Sequence, residues 1–234
     1  MKIIKPYHII ESEIDYQKIL AHLEKCGRVC YQSGDLANEK SAEKFIGGII
    51  KSGHESVIEH ISITVRFITN RGVTHEMVRH RLASYSQEST RYCSYNRDKF
   101  DNQLTYIQPP WFKTDIIGEH DIKWIGVYGA DTKSTHRLDK AENRWFWNCA
   151  VGERDYLRLL DEGWIPQQAR DVLNNSIKTE IVMTCNVREW REVFRQRCSK
   201  YAHPEIREIM IPTLIEFQEK MPILFNDIEY YKGE

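Results

Sequence analysis

Residues 79 to 91 read Arg-His-Arg-Leu-Ala-Ser-Tyr-Ser-Gln-Glu-Ser-Thr-Arg, a run that places three arginines, a histidine and three serines in a chain of formal net charge −1. Such a cluster asks for an anion. Guanidinium groups are planar forks of N–H donors that match phosphate or carboxylate, and serine hydroxyls with turn amides can complete a phosphate cradle. The near-zero net charge supplies no long-range pull toward a polynucleotide or an anionic lipid, so the expected ligand is small and phosphorylated. The plain alternative is a solvated charged segment whose surface ion pairs contribute little.

Other residues invite chemistry and meet simpler explanations. His54 and His60 flank Glu55 and Glu59, but their six-residue spacing does not put both rings on one helical face as the i, i+4 zinc spacing does, and no metal is expected. Ser89 lacks an evident base to activate it, which leaves phosphate binding as its expected role. Arg170 and Arg197 lie in charge-rich helical stretches, and Asn186 and Arg188 can simply end a strand and start a helix. No Gly-x-Gly-x-x-Gly follows a strand and no Walker loop occurs, which excludes the Rossmann mode of dinucleotide binding. The six cysteines are scattered, and reduced, mostly buried thiols are expected.

The elements that must position these residues follow from periodicity. Ile14, Ile19, Leu20 and Leu23, then Phe45, Ile49 and Ile50, recur at helical spacing. From Ile61 the pattern alternates, with Ile61, Ile63, Val65 and Phe67 on one face, which predicts a half-buried strand ended by a turn at Asn70-Arg71-Gly72. A helix from Thr74 to about Leu82, with Thr74 as N-cap, would start the cationic run on a helix end, where cations suit the dipole, and finish it in a loop. Residues 98 to 140 read as loops, an insertion or lid, with a short extended piece at Leu104 to Gln108. Helices follow over Ala141–Glu162, stopping at Gly163, and over Gln167–Leu173 after Pro166 at N1. A second strand, Ile177–Cys185, precedes a helix from Val187, and a last helix runs from Pro204 to Met221. Strands separated by helices without βαβ alternation predict an α/β (α+β) architecture in a single domain spanning 1–234.

At 41% hydrophobic and 29% charged the composition is that of a globular protein. No apolar stretch approaches the roughly 20 residues of a membrane span. The start, Met1-Lys2-Ile3-Ile4-Lys5, has no secretory apolar stretch, and a cytoplasmic location is expected.

Arg79-His80-Arg81, seven residues, Ser89, then Arg91-Tyr92 resembles the signature of the flavin-dependent thymidylate synthases. The resemblance extends through Gly53-His54-Glu55-Ser56, Glu59-His60, His75-Glu76, Tyr106-Ile107-Gln108-Pro109, Ala169-Arg170-Asp171-Val172-Leu173 and Asn186-Val187-Arg188-Glu189-Trp190 to Arg197, in the family's order and spacing. It implies an antiparallel β-sheet flanked by helices. It also implies an enzyme that methylates dUMP at uracil carbon 5, with methylenetetrahydrofolate as one-carbon donor and FAD reduced by NADPH as hydride source, in a homotetramer holding FAD between subunits.

Carried over position by position, Glu76, Arg79, Gln87, Glu88, Ser89, Arg91, Arg170 and Arg197 would line the dUMP site. Ser56, Arg79, His80, Arg81, Gln87, Asn186, Arg188 and Glu192 would contact FAD. Ser89 and Arg91 would hold the phosphate, and Arg197, the implied catalytic residue, would stabilise negative charge on the uracil. No cysteine nucleophile is implied. The family carries Glu or Gln at positions 76 and 87, whereas Glu192 and Tyr201 depart from the Asn or His and the His of many members. Two other readings stand beside this one. One is a nucleic-acid platform of arginine, serine and tyrosine, against which the neutral charge argues; the other is an inactive homologue, for which Glu192 is the hint.

Overall fold

The computed structural model describes residues 1–30, 32–37, 41–96, 102–125, 129–131 and 138–233. In chain order come β1 (Lys2–Ile4), β2 (Tyr7–Ile10), α1 (Tyr16–Val29), a 3-10 turn (Gly34–Leu36), α2 (Ala42–Lys51) and a 3-10 helix (Glu55–His60). Next are β3 (Ser62–Asn70), α3 (Arg71–Met77), β4 (Ala83–Gln87), β5 (Thr105–Ile107), β6 (Gly118–Glu119), β7 (Lys123–Ile125) and β8 (Gly129–Asp131). The chain closes with α4 (Lys140–Asp161), α5 (Pro166–Ala169), a 3-10 turn (Arg170–Val172), β9 (Lys178–Asn186), α6 (Val187–Arg197), α7 (Pro204–Lys220) and α8 (Pro222–Phe225). One sheet has the order β2-β3-β9-β4, a second β5-β1-β6, and β7 pairs with β8. The class is the mixed α/β one expected, with helices flanking the sheets. Pairing is antiparallel for β1–β6 and β7–β8 and parallel for β1–β5.

The chain groups into two compact units, each built from separated stretches. The first comprises Met1–Tyr7, Ile68–Glu76 and Gln87–Ile181; the second comprises His8–Phe67, Met77–Ser86 and Val182–Glu234. In the first, Ile3, Tyr106, Phe146, Cys149, Tyr156 and Ile177 form the core. Helix α4 covers it and begins with a capping box in which Asp139 and Glu142 satisfy each other's backbone N–H groups. It ends at Gly163, whose φ of +94° only glycine adopts without strain, with the Trp164 N–H bonded back to the Leu159 carbonyl.

In the second unit, α1 and α2 bury Leu20, Leu23, Ile46 and Ile49. They approach so closely that a Cβ on Gly27 would lie 2.7 Å from the Phe45 ring. Trp190 stacks on Phe194 at 5.5 Å, and Phe194, Phe217 and Phe225 continue the aromatic core edge to face. Such rings contribute orientation preferences beyond the area they bury.

Two expectations about the cationic run are corrected. The helix begins at Arg71, not Thr74, because the Asn70 side-chain oxygen accepts from the Val73 N–H at 2.8 Å and caps it. It ends at Met77, so Arg79, His80 and Arg81 lie in the turn that follows the helix and not on its last turn; Ala83–Gln87 is strand β4, not loop. The strand alternates, with Ser84 and Ser86 exposed and Ala83, Tyr85 and Gln87 half-buried, but its residues are too polar to signal it. The segment 166–172 is a short α-helix followed by a 3-10 turn, with Pro166 at N1 as expected. Within the stretch read as loops, β6, β7 and β8 appear; residues 97–101, 126–128 and 132–137 lie outside the described residues.

Candidate active site

In the second unit the functional residues are held by α6 and by the turn after α3. Asn186 ends β9 and caps α6, its side-chain oxygen accepting from the Glu189 N–H at 2.9 Å. The Trp190 indole N–H donates to the Ile63 carbonyl at 3.0 Å and ties the helix to β3. The next residue, Arg191, is fully buried, and a charge there needs partners. It donates to Glu55 at 3.2 Å, grips both Asp227 oxygens at 2.7 and 2.6 Å, and reaches the Leu224 carbonyl. Arg195 shares Glu55 at 3.0 Å, and Arg188 pairs with Glu59 at 2.6 Å. The 3-10 helix Glu55–His60, which also presents exposed Ser56, is thereby joined to α6 by three ion pairs. Burial and competing charges leave the Asp227 and Glu55 carboxyls below the usual range, because the arginines outweigh desolvation.

His80 lies at the centre of the turn, 6% exposed. The Arg197 Nε–H donates to His80 Nε2 at 3.0 Å, and His80 Nδ1 lies 3.6 Å from a Glu189 oxygen. Arginine only donates, so Nε2 must be the lone-pair nitrogen, and a neutral ring then carries its proton on Nδ1. Burial first, and the Arg197 charge second, hold His80 down at about 4, so the short distance to Glu189 is not an ion pair at neutral pH but an orientation of the Nδ1–H. The Tyr85 hydroxyl, 2.7 Å from the Met77 carbonyl and 2.8 Å from that of His80, secures the turn. Arg79 and Arg81 project into solvent on either side, and the exposed Glu192 accepts from Gln196 at 2.6 Å.

In the first unit the same run continues. Gln87 donates its amide to the Thr74 and Thr179 hydroxyls at 3.0 and 3.3 Å. Glu88 points elsewhere: it accepts from Lys178 at 3.0 Å and from the Tyr95 hydroxyl at 2.9 Å. Ser89 Oγ accepts the Arg91 N–H at 3.3 Å, and its carbonyl accepts the Tyr92 and Cys93 amides, so the segment closes into a turn. Exposed Arg91 rests over the Tyr92 ring, 5.3 Å from its centroid. Arg170, its side chain 41% exposed, is only 4.0 Å from Asp171. Glu76 is half-buried near the end of α3. A cavity of about 440 Å³ lined by Lys2, Lys5, Lys178 and Glu180 opens in this unit and contains none of the expected site residues.

Within the second unit, then, Ser56, Arg188, Asn186, Glu192, Arg197 and His80 belong to one linked set of elements. Glu55, Glu59 and Glu189, which hold that set, were legible only as neighbours of histidines or of a motif arginine. Three of the six cysteines are buried, and burial pushes Cys149 and Cys198 up to about 12. Those thiols carry no thiolate for nucleophilic work. Among the described residues no group of three His, Cys, Asp or Glu side chains converges as a metal site, and no helix is long and apolar enough to cross a membrane.

Comparison with known proteins bears on this arrangement. Residues 14–223 match the family model described as thymidylate synthase complementing protein. A protein of Mycobacterium sp. (strain JLS) named flavin-dependent thymidylate synthase is 35% identical over 226 residues, covering 94% of this chain and 84% of its own. Its namesake from Mycobacterium avium (strain 104) is 36% identical over 217 residues, covering 89% and 79%. Among solved structures, the UMP/dUMP methylase PolB of Streptomyces cacaoi, bound with 5-Br dUMP, shares the fold at a TM-score of 0.68 and 20% identity, covering 97% of this chain and 96% of its own. The chain belongs to the flavin-dependent thymidylate synthase family.

Proposed function

We propose that the protein makes dTMP from dUMP by reductive methylation at uracil carbon 5, with methylenetetrahydrofolate as one-carbon donor and NADPH as reductant. The observation that carries this reading is Arg197, a permanent cation whose guanidinium is already fixed by a neutral, buried His80. An oriented cation costs no reorganisation when negative charge develops on a bound ring. Family membership over most of the chain supports the same conclusion.

The residues present fit FAD. Exposed guanidiniums at Arg79, Arg81 and Arg188 suit its pyrophosphate, the Ser56 hydroxyl and the Asn186 amide suit its polar edges, and Glu192 can accept from a hydroxyl. When bound and reduced, the flavin supplies the hydride. The chain's own residues bind, orient and hold charge. Ser89 and Arg91 take the nucleotide phosphate, with Arg170 as a further cation, and Gln87 and Glu76 offer hydrogen bonds to the nucleotide. Arg197 faces the uracil. Glu88, engaged by Lys178 and Tyr95, contributes chiefly by fixing the start of the Ser89 turn.

The interleaved segments of the two units support a single folding domain. Leu82 and Tyr201, 75% and 86% exposed, support burial against further copies of the chain in a homotetramer. Six unpaired cysteines fit a reducing, cytoplasmic setting.

The test is direct. Purified protein reconstituted with FAD should turn yellow and should convert dUMP to dTMP only when NADPH and methylenetetrahydrofolate are both supplied. A protein that retains no FAD, or forms no dTMP under these conditions, would refute the reading.

A further inference from the structure

We propose that Thr74 and Thr179 are positioning residues: by holding the NH2 end of the Gln87 side chain they turn its carbonyl oxygen toward the bound ligand, as a fixed acceptor for a hydroxyl or a ring N–H. The inference rests on the function proposed above, which places Gln87 against the ligand, and it gives that contact a direction and two supports.

A glutamine amide carries donors at one end and an acceptor at the other, and a half-turn exchanges them, so its neighbours decide which end a ligand meets. Gln87 closes β4, and the N–H of the next residue, Glu88, donates to the Glu180 carbonyl at 2.8 Å, which pins the backbone to β9. The Gln87 Nε2 lies 3.0 Å from the Thr74 hydroxyl and 3.3 Å from that of Thr179. Thr74 settles the direction. Its own proton is committed to the Arg71 carbonyl at 3.0 Å, so its oxygen is left to accept, and only the NH2 end of the amide can face it. The two hydroxyls thus take the two N–H bonds of the amide, and among the described residues nothing donates to Gln87 Oε1.

Both threonines are fully buried, and a buried hydroxyl is costly unless it is hydrogen-bonded. They come from different elements, Thr74 from α3 and Thr179 from β9. Each element is itself fixed, because Asn70 caps α3 and the Arg71 N–H donates to the Asn175 carbonyl at 3.0 Å, just ahead of β9. Gln87, by contrast, is only half-buried. A neutral side chain anchored at its donor end and open at its acceptor end suits a ligand group that donates. In dUMP these are the deoxyribose hydroxyl and the uracil imide N–H, and in FAD the ribityl hydroxyls. A phosphate oxygen or a uracil carbonyl would be repelled by Oε1. Ordering the amide before binding also removes a rotamer cost from the binding step.

Nuclear magnetic resonance of the wild-type protein tests the direction of the amide. The Gln87 side-chain NH2 signals, assigned by their loss in Gln87→Ala, should exchange slowly with solvent before any ligand is added, and should stay protected when FAD and then dUMP are bound. An NH2 group that exchanges freely, or that becomes protected only with a ligand, would overturn the proposal without touching either threonine. Substitutions test the supports. Thr74→Val replaces the hydroxyl by a methyl of similar size and should raise the dissociation constant of the ligand that Gln87 meets by about fivefold or more, the worth of one neutral hydrogen bond, whereas Thr74→Ser should stay within about twofold of wild type. The constants for dUMP and FAD are measured separately, and the one that rises names the source of the donor. Thr179→Val should act in the same direction, so that a variant failing to fold at one position leaves the other to decide. In a Gln87→Ala background Thr74→Val should add less than about twofold, because the two residues act as a unit. Unchanged constants for both ligands in a folded valine variant, or equal losses with and without Gln87, would defeat the inference. Failure of the wild-type enzyme to form dTMP would instead defeat the functional reading, and the amide measurement would stand apart from it.

Discussion

The second unit and the first use the same chemical group, a guanidinium, under opposite conditions. On α6, Arg188, Arg191, Arg195 and Arg197 are each bound by a specific partner within 3.2 Å. In the Ser89 turn and the 3-10 turn after α5, exposed Arg91 rests on a tyrosine ring and Arg170 reaches Asp171 only at 4.0 Å. The first arrangement suits a group that must meet charge appearing during a reaction, because its orientation is set beforehand. The second suits a group that meets a charge already present on the ligand, such as a phosphate, and that can be ordered by it at an entropic cost. Preorganisation is concentrated where the proposed chemistry changes charge.

The comparison can be broken at several points. Arg197→Ala should have the largest effect, lowering tritium release from 5-labelled dUMP by about 100- to 1000-fold while FAD stays bound. Unchanged turnover would remove Arg197 from the reaction. Glu55→Ala removes one carboxylate from buried Arg191 and the one that Arg195 shares with it, and should destabilise the fold by about 3 kcal/mol, read as a shifted denaturant midpoint. A shift under about 1 kcal/mol would mean that Asp227 alone satisfies Arg191.

A pH titration sharpens the same region. The folded value of His80, about 4, lies below its ordinary 6.5, so the fold disfavours the proton. Its contribution is complete above pH 6.5 and is lost as pH falls from there toward about 4, amounting to a few kcal/mol at about 1.4 kcal/mol per unit. The difference in unfolding free energy between wild type and His80→Gln should therefore shrink over that window; a constant difference would contradict the assignment. In the other region, Arg91→Ala should raise the dUMP dissociation constant by about 10- to 100-fold with a smaller change in kcat. Equal losses in kcat would show Arg91 acting in the reaction itself. Smallest is Asn70→Ala, which removes the α3 cap and should cost about 1 kcal/mol. No change would return the helix start to Thr74.

The same contrast governs what the sequence disclosed. Strands β3 and β9 were legible because apolar and polar residues alternate along them, α4 because Gly163 stops it, and α5 because Pro166 stands at its N1. The start of α3 was placed a turn late, since Asn70 serves at once as the last strand residue and as the cap. Strand β4 hid behind small polar residues whose alternation carries no hydrophobic signal. Arg79 to Arg91 stood out from residue types alone as a run suited to an anion, with a solvated charged surface as the alternative. The partners that order the second unit could not, because His80 and Arg197 are 117 residues apart and Glu55 and Arg191 are 136 apart. Pairing at that distance is a property of the packed chain, not of local pattern.

The central claim is that one set of arginines is oriented before the nucleotide arrives and the other by it. The most direct measurement is the nitrogen-15 spectrum of arginine Nε–H groups in FAD-loaded protein, assigned with Arg197→Lys and Arg91→Lys, before and after adding dUMP. The Arg197 resonance should be protected from solvent exchange at the outset, and that of Arg91 should become protected only with dUMP. Rapid exchange at Arg197 until dUMP is added, or protection at Arg91 without it, would contradict the account.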